Sequence, residues 1–312
     1  MPRLRLVTYT ALMLKHFTTS LASLATILGL LGMSRPAYSE PEPFADIHIH
    51  FNWDQKEVTS ASEVVARLRA HNAVLVQVSS TPPRLALELA DAAGPWVLPY
   101  FSPYLTERHR TTWAVDDNVV AEAAKGLASG RYKGIGELHV FPDNGLRREN
   151  KVFNGLLQLA ARYQVPFLIH TEASSHLFFA PVCQKYSQVR FLWAHAGNRL
   201  QPDAIDQLMQ QCPNLWTEVS ARDPWRYGKL TDSDNLLLPG WRELFIKYQD
   251  RFMTGTDPVW GNSEDNRYAN ADEAWDHYTQ LIEWHRNWLK QLPPEVEEKI
   301  RLTNARKFIS GN

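Results

Sequence analysis

From Phe44 onward the chain alternates short, nearly all-apolar runs with amphipathic stretches, and it does so eight times. The apolar runs are Phe44–His50, Ala73–Ser79, Trp96–Phe101, Tyr132–Leu138, Val165–His170, Val189–His195, Asn214–Val219 and Arg251–Asp257, each rich in β-branched or aromatic residues. Runs of this length read as strands buried on both faces. The stretches between them, among them Ser60–His71, Pro82–Ala92, Asp116–Ser129, Glu149–Tyr163 and Pro202–Gln211, carry helical periodicity. Ser60 followed by Glu63 makes a capping box, and Asp116 is a good N-cap. Eight strand–helix units in a row predict an α/β fold, a single-domain (β/α)8 TIM barrel. A doubly wound open sheet would have five to seven strands. No internal repeat or second domain is visible, and Pro293–Ile309 reads as a closing helix or pair of helices.

The first forty residues follow a different pattern. Residues 1–39 hold Arg3, Arg5, Lys15 and Arg35 with no acid, run uncharged from Phe17 to Ser34, and end in the small-x-small triplet Ala37-Tyr38-Ser39. This predicts a signal peptide over 1–39, a mature domain over 40–312, and an exported protein, periplasmic or extracellular, with no stable membrane insertion after cleavage. A membrane anchor is the alternative, since an uncharged run of about eighteen residues is at the lower edge of what spans a bilayer. Removal of 1–39 leaves 29 basic against 34 acidic residues, a net charge of −5. That balance gives no basis for binding nucleic acid or an anionic membrane surface. Cys183 and Cys212 are too few for a thiolate zinc site; they either pair or stay as two buried thiols.

The chemistry sits at strand ends. His48, His50, His170, His195 and Asp257 each stand at or within two residues of the ends of strands one, five, six and eight. In a barrel those ends converge on one mouth, where active sites are built. Residues i and i+2 of a strand point the same way, so His48 and His50 reach one ion together. Imidazole and carboxylate donors suit zinc first, with manganese or iron as alternatives.

Taken with their neighbours, these residues resemble a known family. Asp46-Ile47-His48-Ile49-His50 is similar to the strand-one signature of the amidohydrolase superfamily, and its order continues through Gly134-Ile135-Gly136-Glu137, Leu168-Ile169-His170, Trp193-Ala194-His195-Ala196-Gly197-Asn198 and Thr254-Gly255-Thr256-Asp257. Asn304-Ala305-Arg306-Lys307-Phe308 resembles its common C-terminal ending, and the resemblance spans about 44–309. The closest branch is that of the amidohydrolase-2-like, metal-dependent TIM-barrel hydrolases. The resemblance implies one or two divalent ions held by His48, His50, His170 and Asp257, with Asp257 also accepting a proton from the activated water. His195 would bind a second ion or polarise the substrate. Glu137 stands where relatives carry a bridging ligand or a residue that does not ligate. His139 could compete with Glu137, and Asp46 would support the strand-one histidines from behind.

Substrate recognition is expected in the long connections. Trp53, Arg222, Trp225, Arg226 and Trp260 follow strands one, seven and eight, and Arg108 and His109 follow strand three. A rim of Trp and Arg suits a small organic molecule with an apolar body and an anionic group. The leading expectation is hydrolysis of a C–N or C–O bond of amide, ester or lactone type, with non-oxidative decarboxylation on the same ligands as runner-up. A non-catalytic metal-binding barrel, and glycoside hydrolysis by Glu137 and Asp257, rank behind: the first should have lost part of the ligand set, and the second gives the histidines no purpose.

Overall fold

In the computed structural model the described residues are 41–140, 146–172, 175–228, 230–259 and 275–311, so the segment 1–39 expected to be a signal peptide and Trp260 lie outside them. The eight strands are β1 Phe44–His50, β2 Ala73–Ser79, β3 Val97–Phe101, β4 Gly134–Val140, β5 Phe167–Thr171, β6 Phe191–Trp193, β7 Leu215–Glu218 and β8 Phe252–Met253. All neighbours are parallel and follow chain order from β1 to β8. Backbone bonds from Ile47 N–H to Thr254 C=O (3.0 Å) and from Asp257 N–H to His48 C=O (2.7 Å) join the last strand to the first. The expected TIM barrel is therefore the observed fold.

The helices include α1 Trp53–Lys56, α2 Ala61–Ala70, α3 Arg84–Ala93, α4 Asn118–Ala128, α5 Lys151–Tyr163, α6 Ser175–Lys185, α7 Pro202–Gln211, α8 Pro239–Lys247 and α9 Tyr278–Leu289, and the tail supplies α10 Pro294–Glu298 and α11 Asn304–Ser310. The capping box on α2 is present: Ser60 N–H donates to Glu63 Oε2 at 2.7 Å while Glu63 N–H donates to Ser60 Oγ. Such caps contribute about 1 kcal/mol. Helices α1, α6, α8 and α9 lie outside the five stretches named from periodicity; Pro181 interrupts the signal of α6.

One layer of core lies between strands and helices. A second fills the barrel with Ala45, Ile47, Tyr100, Leu168, Leu192 and Met253, and the tail residues Leu302, Ala305 and Phe308 pack onto it. On β1 the register against β2 shifts between Asp46 and Ile49. Ala45 and Ile47 face the interior below that irregularity, and His48 and His50 join the interior cluster above it. Cys183 on α6 and Cys212 after α7 are fully buried and form a disulfide with Cα atoms 5.8 Å apart, which resolves the open choice in favour of a pair.

Candidate metal centre

At the C-terminal mouth, His48 Nε2 and His50 Nε2 lie 3.1 Å apart. Asp257 Oδ1 is 3.3 Å from His50 Nε2 and 3.8 Å from His48 Nε2. Glu137 on β4 presents its two oxygens to different partners. Its Oε2 is 3.2 Å from His50 Nε2 and 3.4 Å from His48 Nε2, while its Oε1 is 2.9 Å from His170 Nδ1 and 3.7 Å from His195 Nε2. Asp257 Oδ2 also reaches to 3.9 Å from His195 Nε2. The sequence reading grouped His170 with His48, His50 and Asp257. The geometry places it on the far oxygen of Glu137, where His170, His139 and Glu137 form a group separate from His48, His50 and Asp257.

Two carboxylates that sequence reasoning missed orient the histidines from behind. Glu218, the last residue of β7, accepts from His48 Nδ1 at 2.8 Å and from the His195 backbone N–H at 2.7 Å. Glu172 accepts from His170 Nε2 at 2.9 Å and also bonds Asn198 Nδ2. His195 Nδ1 meets Ser220 Oγ at 2.7 Å. Each pairing leaves the opposite ring nitrogen aimed into the cluster, the arrangement by which outer carboxylates fix the tautomer of a metal-binding histidine. Asp46 bonds neither strand-one imidazole; it accepts from Thr256 N–H (2.9 Å), Thr256 Oγ1 (2.7 Å) and Tyr278 Oη (3.0 Å). Burial outweighs those bonds and pushes Asp46 up to about 7. Gly255 lets β8 approach this group: a Cβ there would lie 2.7 Å from Glu218 Oε2 and 2.9 Å from His48 Cβ.

Charge dominates the titration of the cluster. Burial alone would lower His48, but the carboxylates of Glu137, Glu218 and Asp257 hold it well above its ordinary range. Burial likewise opposes His170, and its bonds to Glu137 and Glu172 prevail, raising it to about 9. Burial would raise Glu137 and Asp257, yet the surrounding histidines keep both below the usual carboxylate range.

His139 is engaged on both sides. Arg110 Nη2 donates to its Nε2 at 2.9 Å, so the ring proton sits on Nδ1 and goes to Tyr104 Oη at 2.8 Å. Tyr104 Oη also accepts the His139 backbone N–H at 2.9 Å. The mouth holds a cavity of about 270 Å³ whose walls include Trp53, Ser80, Tyr104, Arg110, Tyr227 and the cluster itself. Trp53, 39% exposed, stands on α1 at the rim as expected. Arg222 does not line the cavity: it is fully buried, with Nε and Nη2 donating to the carbonyls of His195 and Ala196. Trp225 is half-buried and packs against the core. His109 braces its own loop, accepting from Leu105 N–H and pairing with Asp116 at 3.1 Å.

Comparison with known proteins decides the family. A family model described as amidohydrolase matches residues 45–310. The chain belongs to the amidohydrolase family. Similar folds include a TatD homologue from Escherichia coli K12 (16% identity, 85% of this chain and 97% of that one, TM-score 0.57). They also include a probable 2-pyrone-4,6-dicarboxylic acid hydrolase from Acinetobacter baumannii with citric acid bound (14%, 86% and 99%, TM-score 0.56). A third is the phosphotriesterase homology protein from Escherichia coli with phosphate in its active site (13%, 86% and 99%, TM-score 0.57). At these identities the likeness is one of fold. No curated protein matches the chain. This amidohydrolase is an enzyme, a metal-dependent hydrolase of its superfamily.

The residues present fit a divalent ion. Asp257 Oδ1 is buried and makes no well-aligned hydrogen bond, only the 3.3 Å approach of His50 Nε2, which leaves lone pairs for a cation. Metal uptake by the amidohydrolase should therefore be proton-linked. His170, protonated below about pH 9 in the metal-free chain, must lose that proton to ligate, so affinity should fall as pH drops below about 9. The sign reverses for the metal-free fold. There the raised His170 contributes stability fully present below its ordinary 6.5 and lost as pH rises through about 9. Calorimetric titration with zinc in buffers of different ionisation enthalpy should show proton release; none at pH 7 would contradict this assignment.

Proposed function

We propose that the protein is an exported hydrolase that cleaves a C–N or C–O bond of a small organic amide, ester or lactone. The carrying observation is the split engagement of Glu137, Oε2 toward His48 and His50 and Oε1 toward His170 and His195. In this reading Glu137 would help hold up to two divalent ions, preferably zinc. His48, His50 and Asp257 would hold one with it, and His170 and His195 the other. A bound divalent ion supplies a lowered pKa for water and polarisation of the scissile carbonyl. The chain does the rest. Asp257, kept ionised by its histidine neighbours after burial is overcome, accepts the proton of the attacking water and returns it to the leaving group. Tyr104, whose oxygen already accepts two N–H groups, has its own hydroxyl proton left to donate to a substrate oxygen, and Arg110 offers charge beside it. Trp53 covers the apolar part of the substrate.

Export is supported by the leader-like N-terminus and by the Cys183–Cys212 pair, since disulfides persist in oxidising compartments. Among the described residues no helix is long and apolar enough to cross a membrane. Elemental analysis of the purified protein beside a His48→Ala/His50→Ala variant tests the centre. Two equivalents of zinc in the parent, with at least one lost in the variant, are expected. A folded parent that takes up no metal after reconstitution would sink the hydrolytic reading and favour a non-catalytic barrel.

A further inference from the structure

His195 and Asp257 enter the cluster from backbone that ordinary residues avoid. His195, Ala196, Gly197 and Asn198 have φ of 56°, 46°, 76° and 65°, and Asp257 has φ 49°. For residues with a Cβ the left-handed region costs roughly 1–2 kcal/mol each, and such stretches persist only when their surroundings hold them. The surroundings here are two arginines four residues apart in the loop after β7. Arg222 forks onto consecutive carbonyls, Nε to His195 and Nη2 to Ala196, both at 2.8 Å, with its guanidinium 4.7 Å over the Trp241 ring. Arg226 forks onto Asp257 C=O (2.5 Å) and Thr256 C=O (2.8 Å), its Nε held by Asp223 at 2.7 Å. Burying a cation is costly, and Arg222 is fully buried on two carbonyls and a ring face, with its Nη1 making no hydrogen bond. Apolar packing alone would not select it. Its fork offers what Lys lacks, two parallel donors at fixed spacing.

We infer that Arg222 and Arg226 are positioning residues, each clamping a pair of adjacent carbonyls so that the left-handed turns carrying His195 and Asp257 aim both side chains at one centre. The inference rests on the hydrolase reading only for what the turns present, not for how they are held. Cobalt(II) is the probe, titrated into the metal-free protein and followed by its visible absorption. Arg222→Met should weaken the position that uses His195 by about 10–100-fold, as loss of outer partners does elsewhere, and leave the His48–His50 position within about threefold. Arg226→Met should weaken the Asp257 position. The discriminating variant is Ala196→Gly, because glycine adopts the left-handed region without a clamp. Added to Arg222→Met, it should restore most of the lost cobalt affinity. Equal losses at both positions, or no restoration, would overturn the inference. Thermal unfolding of the metal-free protein supplies a second cycle. The drop in Tm caused by Arg222→Met should shrink when residue 196 is glycine, and equal drops in both backgrounds would refute the clamp even if the enzyme hydrolyses its substrate. Failure of the parent to bind cobalt would sink the hydrolase reading, leaving the unfolding cycle to judge the clamp.

Discussion

Replacing Asp257 by asparagine is expected to cut kcat by about 10²–10⁴-fold, the range for losing a positioned proton acceptor. The substitution is nearly isosteric, and the Asp257 backbone would keep its bonds to His48 C=O and Arg226. What changes is charge: the side chain facing His48 and His50 is no longer a carboxylate, and the proton acceptor at this position is lost. Because the imidazoles keep Asp257 below the usual carboxylate range, the parent should stay active well into mild acid with respect to this residue. Steady-state kinetics with near-UV circular dichroism would decide the matter. A folded Asn variant retaining more than a tenth of parental kcat would remove Asp257 from the proposed role, and metal content of the same sample would tell lost chemistry from a lost ion.

Breaking the Cys183–Cys212 link should have the largest effect on stability. The bridge closes a loop across 29 positions, and for such a loop the chain-entropy model gives about 3.5 kcal/mol at 25 °C. In a domain of this size that corresponds to a fall in Tm of roughly 7–14 °C. Both sulfurs are fully buried, so reductant acts only on molecules that open. A Cys183→Ala/Cys212→Ala variant is therefore the cleaner comparison. Calorimetry of parent and variant, with thiol titration of the unreduced, denatured parent, measures both the cost and the bond. Two titratable thiols and an unchanged Tm would refute the link, and with it one support for export.

Much of the barrel was legible because its signal is local. β1 and β2 run to the residues that apolar patterning marks, and α7 begins and ends where Pro202 and Gln211 suggest. The later strands are shorter than their apolar runs. β6 stops at Trp193 and β8 at Met253, and His195 and Asp257 follow on left-handed backbone, which no hydrophobic pattern encodes. Glu218 was within reach: the strand-end rule that singled out His170 and His195 applies equally to the last residue of β7. Glu172 carries the same i+2 signal from His170 that joins His48 to His50. Arg222 and Arg226 were not within reach, since a loop arginine has the same sequence signature whether it faces substrate or a carbonyl. The division of donors around Glu137 depends on which way one carboxylate turns, a tertiary property that residue order alone leaves open.

The clearance at Gly255 gives a criterion for sorting relatives by a residue that touches no substrate. With only 2.7 Å between a hypothetical Cβ and Glu218 Oε2, position 255 cannot gain a methyl group while Glu218 and His48 stay in place. A homologue with alanine or serine there must turn or shorten the residue at 218 and shift the first strand away from His48 Cβ. Its strand-one histidine would then lack the carboxylate that sets its tautomer, even with every ligand residue retained. Lineages that kept the histidines and lost the chemistry could be picked out by this one glycine.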